Sequence, residues 1–181
     1  MKTPLTYGFL MALGGTLVTF ALFFAGFHDS AKKMKSAQWI GGGLGIAIAV
    51  ICLAFAMREK RESRAQAEWS YGSAVGAGVL TGLFGALFGA IFGYVYVAYI
   101  NPQLCDVVYQ MQVDKMEATG LSTTQIERAE PMLRKWISPA VFTVSQAVSG
   151  LIMGVLLSLI VAIFFRKPVG PAVPTPPPVP V

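Results

Sequence analysis

Four stretches of this sequence contain no Asp, Glu, Lys or Arg: residues 3–28, 36–57, 69–105 and 136–165. They are 26, 22, 37 and 30 residues long, and all 23 charged residues lie outside them. An α-helix rises about 1.5 Å per residue, so about 20 residues cross a hydrocarbon layer about 30 Å thick. Each stretch is long enough to span. The rest of the composition agrees, with 55% apolar and only 13% charged residues, where a soluble domain carries about 25% charged. A soluble enzyme, a nucleic-acid-binding domain and a secreted disulfide scaffold are excluded on these grounds.

The expected fold class is all-α: an integral membrane bundle of four transmembrane helices with a short helical extramembrane segment between spans 3 and 4. The spans are read at about 5–27, 37–57, 70–100 and 138–165, with the extramembrane segment at 103–137. Together they make one membrane domain over 1–167. Residues 168–181 contain seven of the eleven prolines and read as a proline-rich flexible tail. Lys2 precedes an apolar run much longer than the core of a signal peptide, and no small-residue cleavage site precedes Asp29, so the first run reads as a retained span. Span 3 covers about 46 Å as a helix, too long for an upright span and too short for two. Asn101-Pro102 ends it, because proline disfavours helix at the residue before it.

Between spans 3 and 4 the spacing predicts a helix over about 102–118, stopped at Gly120 by a left-handed C′ position. Ser122 with Gln125 is a capping-box pattern that starts a second helix, which Pro131 is expected to kink or divide. Trp39, Trp69 and Trp136 each stand at a span entry, and Tyr94, Tyr96 and Tyr99 crowd the exit of span 3. Amphipathic rings at these positions read as interfacial anchors.

The net charge of +5 sits at span ends, so it reads as anchoring to lipid headgroups rather than as a nucleic-acid surface. An even number of spans places both termini on one side. The basic residues divide equally between the two sides. Four of those on the side away from the termini share the 103–137 segment with five acids, which favours cytoplasmic termini. The short Lys32-Lys33-Lys35 cluster argues the other way.

Lipid supplies no hydrophobic force between helices, so small residues that allow close approach mark the seams. Projected at 100° per residue, Gly78, Gly82, Gly85, Gly89 and Gly93 of span 3 fall within an 80° arc, a glycine zipper about 22 Å long. Thr143, Ala147, Gly150, Gly154 and Ser158 make a similar stripe on span 4. Span 1 offers Gly8, Ala12, Gly15, Thr19 and Gly26, and span 2 offers Gly41, Gly45, Cys52 and Ala56. The packing residues singled out are Gly78, Gly82, Gly85, Gly89, Gly93, Gly150, Gly154 and Ser158. Packing within one bundle is the first reading of this stripe. An interface with a second copy or another membrane protein is the second, and a glycine-lined pore the third.

No Asp, Glu, Lys, Arg or His lies inside a span, where proton relays and ion pathways are usually built. The intramembrane polar residues are Thr16, Thr19, Ser73, Thr81, Thr143, Ser145, Gln146, Ser149 and Ser158. Hydroxyls there usually bond their own backbone, and Gln146, the costliest to bury, reads as interhelical glue. His28, the single histidine, reads as an interfacial residue. Cys52 and Cys105 lack metal-ligand spacing, and no disulfide is expected. The carboxylates Asp106, Asp114, Glu117, Glu127 and Glu130 are interleaved with Lys115, Arg128, Arg134 and Lys135 and read as a solvated surface. No catalytic residue, metal site, cofactor or small-molecule ligand is expected, and the lipid bilayer is the one partner read directly.

Two stretches carry a family resemblance. One is Tyr71 to Leu104, running through Tyr94-Val95-Tyr96-Val97-Ala98-Tyr99-Ile100 into Asn101-Pro102. The other is Gly150 to Lys167, preceded by Ile126-Glu127 and Ser138-Pro139. Together they resemble domain of unknown function 4199, a family of small four-span membrane proteins known mostly from Bacteroidota and related bacteria. The resemblance covers about residues 5–167 and is specific in 71–167. It implies four spans in a bacterial inner membrane and carries no activity with it. The expected role is a non-catalytic assembly, accessory or envelope component acting through helix packing. The alternative is a small transporter or channel, formed by one chain or by an oligomer.

Overall fold

The structure, a computed structural model, describes residues 2–63 and 69–165. Within them the chain forms six α-helices: α1 (Lys2–Phe24), α2 (Ala31–Glu62), α3 (Tyr71–Val95), α4 (Leu104–Ala118), α5 (Thr123–Trp136) and α6 (Pro139–Phe165). A single π-helical turn, Tyr96–Ile100, continues α3. No strand occurs among the described residues. α1, α2, α3 with its π turn, and α6 are each long and apolar enough to cross a membrane, and they are the spans of a multi-pass membrane protein. The proline-rich tail and residues 64–68 between α2 and α3 lie outside the described residues.

Local chemistry sets the helix ends. α1 stops at Phe24, three residues before the expected end, because Gly26 takes a left-handed φ of 72°. Its N–H donates to Phe23 O at 2.9 Å and that of Phe27 to Leu22 O at 3.0 Å, a Schellman closure. Gly120, with φ 86°, ends α4 in the same way, through Leu121 N–H to Met116 O at 3.2 Å. α2 begins at Ala31, so Lys32, Lys33 and Lys35 are helical, and it runs on to Glu62, where Arg58 and Glu62 pair at 3.0 Å. At the start of α5, Gln125 Oε1 accepts the Ser122 N–H at 2.9 Å. Pro131 does not divide α5, which is continuous to Trp136. The carbonyl that loses its donor belongs to Glu127, an exposed residue that water can satisfy.

Two apolar clusters close the bundle at its ends. At the end holding the start of α3 and the finish of α6, Leu53, Met57, Trp69, Ala74, Ala77, Val161 and Ala162 are buried together. Polar bonds tie the same end: Trp69 Nε1 donates to Phe165 O at 2.9 Å, Tyr71 Oη to Leu159 O at 3.0 Å, and Thr3 Oγ1 to Glu59 Oε1 at 2.8 Å. At the opposite end, Leu104, Val108 and Met111 on one face of α4 pack with Met34, Ala37, Tyr96, Val97 and Ile137. α4 therefore lies over that end of the bundle as a cover.

Two expected interfacial rings are core residues. Trp69 is 3% exposed because its indole N–H finds the end of α6, whereas Trp39 is 80% exposed. Tyr96 is 4% exposed, while Tyr94 and Tyr99 stand on the surface. At 100° per residue Tyr96 falls on the face of the buried Gly78 and Tyr94 nearly opposite, so the α-helical period already separates them before the π turn begins.

Candidate functional site

The small-residue seams bring the helices together unevenly. A Cβ built on Gly8 of α1 would lie 2.6 Å from Phe84 Cβ and 2.9 Å from Gly85 N, so α1 meets α3 there almost backbone to backbone. Gly85 faces Met11 and Gly8 O. One turn along, Gly82 of α3 meets Gly154 of α6, with built Cβ to Cα distances of 3.5 and 3.4 Å. At Gly78, Met57 of α2 and Ser158 of α6 converge, the latter with its hydroxyl donating to Gly154 O at 2.6 Å. Thus Gly78, Gly82, Gly85, Gly154 and Ser158 stand at crossings occupied by this chain's own helices.

The stripe then changes role. Gly89 and Gly150 have no neighbour within 4 Å of a built Cβ, and Gly93 has only Thr143 Cγ2 at 3.8 Å. These three glycines line a cavity of about 590 Å³ among the four spans. Gly15, Gly42 and Gly45 line it as well, each likewise free of a close neighbour. Gly42 of α2 and Gln146, Ser149 and Gly150 of α6 are exposed, which sets the mouth between α2 and α6. The volume falls within the 300–1,000 Å³ typical of small-molecule sites.

The lining differs along the bundle axis. Toward the α4 end the hydroxyl and amide groups of Thr16, Thr19, Thr143, Gln146, Ser149 and Tyr96 stand among Phe92, Val97 and Phe142, and toward the Trp69 end stand only apolar side chains such as Met11, Met153 and Leu157. No ionisable Asp, Glu, Lys, Arg or His lines it. Thr16 and Thr19 donate to Ala12 O and Gly15 O at 2.8 and 3.0 Å. Thr81 is buried in the α1–α3 crossing and donates to Ala77 O at 2.9 Å. Gln146 and Ser149 have no such partner among the described residues. The buried Thr143 hydroxyl, in the same wall, also lacks one. Ser145 is exposed and stands outside the lining.

A buried polar triad lies at the α4 end of the cavity. His28 Nδ1 is 2.6 Å from Tyr96 Oη, and Asn101 Nδ2 donates to the same oxygen at 3.0 Å. His28 and Asn101 are each 7% exposed. Burial lowers the His28 pKa below its ordinary value, with Asp29 opposing more weakly. Neutral His28 accepts the Tyr96 hydroxyl proton at Nδ1, which leaves the Tyr96 oxygen free to accept from Asn101. The π turn completes the arrangement, with Asn101 N–H donating to Tyr96 O at 2.8 Å. His28 is therefore a buried structural residue rather than an interfacial one. Its partner is distant in sequence, and nothing near His28 announces the contact.

The acidic residues between α3 and α6 form no group of three that could hold a metal ion among the described residues. Arg134 pairs with Glu130 at 2.8 Å and with Asp106 at 3.9 Å, and stands 4.5 Å over the Tyr109 ring.

Residues 6–167 match the model of a family described as "Protein of unknown function (DUF4199)". No curated protein and no solved structure matches the chain.

Proposed function

The chain belongs to the DUF4199 family, and from that premise we propose that it is a non-catalytic accessory component of the membrane whose working part is the cavity among its four spans. One observation carries the reading. About 590 Å³ of space stays open in the middle of a bundle whose two ends are packed. A chain selected only for close helix packing gains nothing from glycines that touch nothing, as at Gly89 and Gly150. Those glycines make sense as wall rather than seam.

The cavity opens sideways, toward lipid, and α4 covers one end while the Trp69 cluster fills the other. That shape favours a guest entering from the bilayer over a solute crossing it. On this reading the protein sits in a bacterial inner membrane with cytoplasmic termini, and α4 and α5 face the extracytoplasmic side.

Thermal unfolding of the detergent-purified protein, with and without a lipid extract of its native membrane, tests the reading. A ligand that binds only the folded state raises the midpoint. The extract is expected to raise it for the parent protein and to leave Gly150→Leu unchanged, since residue 150 lines the cavity and a Cβ there meets no neighbour within 4 Å. Equal shifts in both proteins overturn the reading.

A second reading, a small transporter or channel, draws on the polar wall at Gln146 and Ser149. It requires a state in which one packed end opens. Solute flux into vesicles reconstituted with the protein alone would favour it.

A further inference from the structure

We propose that the guest of this cavity is a neutral amphiphile with an apolar tail and one uncharged carbonyl or hydroxyl group, and that Gln146 and Ser149 hold that group. The proposal rests on the cavity being a ligand site and adds the chemistry of what fills it.

Three observations converge. The lining offers no ionisable counter-charge, so a phosphate or ammonium headgroup taken to this depth would stay uncompensated. Gln146 and Ser149 are polar groups in the wall without a partner among the described residues, whereas Thr16 and Thr19 have given their protons to their own helix. The donors left for a guest are therefore the Gln146 amide and the Ser149 hydroxyl, one turn apart at the exposed mouth, and the buried Thr143 hydroxyl behind them. Thr143, 7% exposed and without a partner for its hydroxyl, extends the same polar wall.

Depth supplies the orientation. α6 is 27 residues long, about 40 Å, against about 30 Å of hydrocarbon. Gln146 lies about 10 Å in from Pro139, hence a few ångströms beneath the hydrocarbon boundary. A carbonyl or hydroxyl held there points its tail toward Met153 and Leu157, where the lining is apolar. A glycerolipid without a charged headgroup and a prenylated quinone share this chemistry.

Three photoactivatable probes test the proposal on the full chain reconstituted in phosphatidylcholine vesicles: a diazirine diacylglycerol, a diazirine prenyl quinone and a diazirine alkane of matched length. Crosslinks are mapped by mass spectrometry. At least one polar probe is expected to label the cavity wall about tenfold more than the alkane, about what one good hydrogen bond supplies. Whichever polar probe labels identifies the source. Gln146→Leu is expected to reduce that labelling to the alkane level, and Ser149→Ala to reduce it in part, both with unchanged unfolding midpoints. Equal labelling by all three probes overturns the guest chemistry and leaves the cavity reading intact. Labelling of the wall by none of them overturns both. Modification of Ser149→Cys by a membrane-impermeant maleimide shows a water-filled path and also overturns the proposal.

Discussion

Tyr96 and His28, 68 positions apart in the chain, meet at 2.6 Å in the interior of the bundle, just where α3 loosens from α-helical to π-helical winding. The contact joins the turn after α1 to the end of α3. With Asn101 as second partner, the Tyr96 hydroxyl fixes the geometry of the cavity's covered end. A buried polar network of this kind stabilises only when each member is satisfied. Tyr96→Phe keeps the ring and removes the shared oxygen, leaving the Asn101 amide and His28 without it. We expect a loss of about 1–3 kcal/mol, read as a lowered unfolding midpoint in detergent.

The same contact predicts a pH dependence. His28 is held neutral, with its pKa lowered chiefly by burial, so the unfolded chain binds a proton more readily than the folded one. Stability from this source is complete above the ordinary histidine value of about 6.5. It is lost as pH falls below that value toward the lowered pKa of the folded state. The unfolding midpoint of the parent should drop as pH falls below about 6.5, and the drop should be smaller in His28→Gln. A midpoint that rises with acidification would show the opposite sign of coupling.

Glycines of the small-residue stripes should answer differently to substitution. Gly8→Ala places a methyl 2.6 Å from Phe84 Cβ at a backbone crossing, and a loss of about 1–3 kcal/mol is expected. Gly89→Ala and Gly150→Ala meet open space. Each should be neutral or gain up to about 1 kcal/mol from helix propensity. Unfolding midpoints for the three variants in one detergent give the comparison.

The three tryptophans should separate by lipid contact. Trp39 and Trp136 are exposed on the bundle's outer surface, while Trp69 is enclosed and bonded to Phe165 O. Brominated lipids should quench most of the parent's indole emission. They should leave the emission of a Trp39→Phe/Trp136→Phe double variant, which comes from Trp69 alone, largely unquenched.

What could be read from the residues was what a bilayer imposes helix by helix. Exclusion of charge marks each span regardless of how spans pack, and Gly120 and Ser122 act on backbone geometry within a few residues of themselves. The end of α1 was also local, yet a continuous apolar run masked the closure at Gly26. Features that depend on spacing between helices were not legible. A stripe of small residues looks the same whether a neighbour fills it, as Gly154 does at Gly82, or withdraws from it, as at Gly89. The burial of Trp69 follows from an acceptor at the far end of α6, whereas Tyr96 falls on the face of Gly78 at 100° per residue, a periodicity that its neighbours Tyr94 and Tyr99 masked.

The most direct measurement is native mass spectrometry of the protein released gently from its own membrane, beside the cavity-filling variant Gly150→Leu. The account predicts one retained molecule of neutral lipid mass on the parent, absent from the variant, with both proteins equally folded. A parent that emerges without any adduct, or a variant that retains the same adduct at the same occupancy, would contradict it.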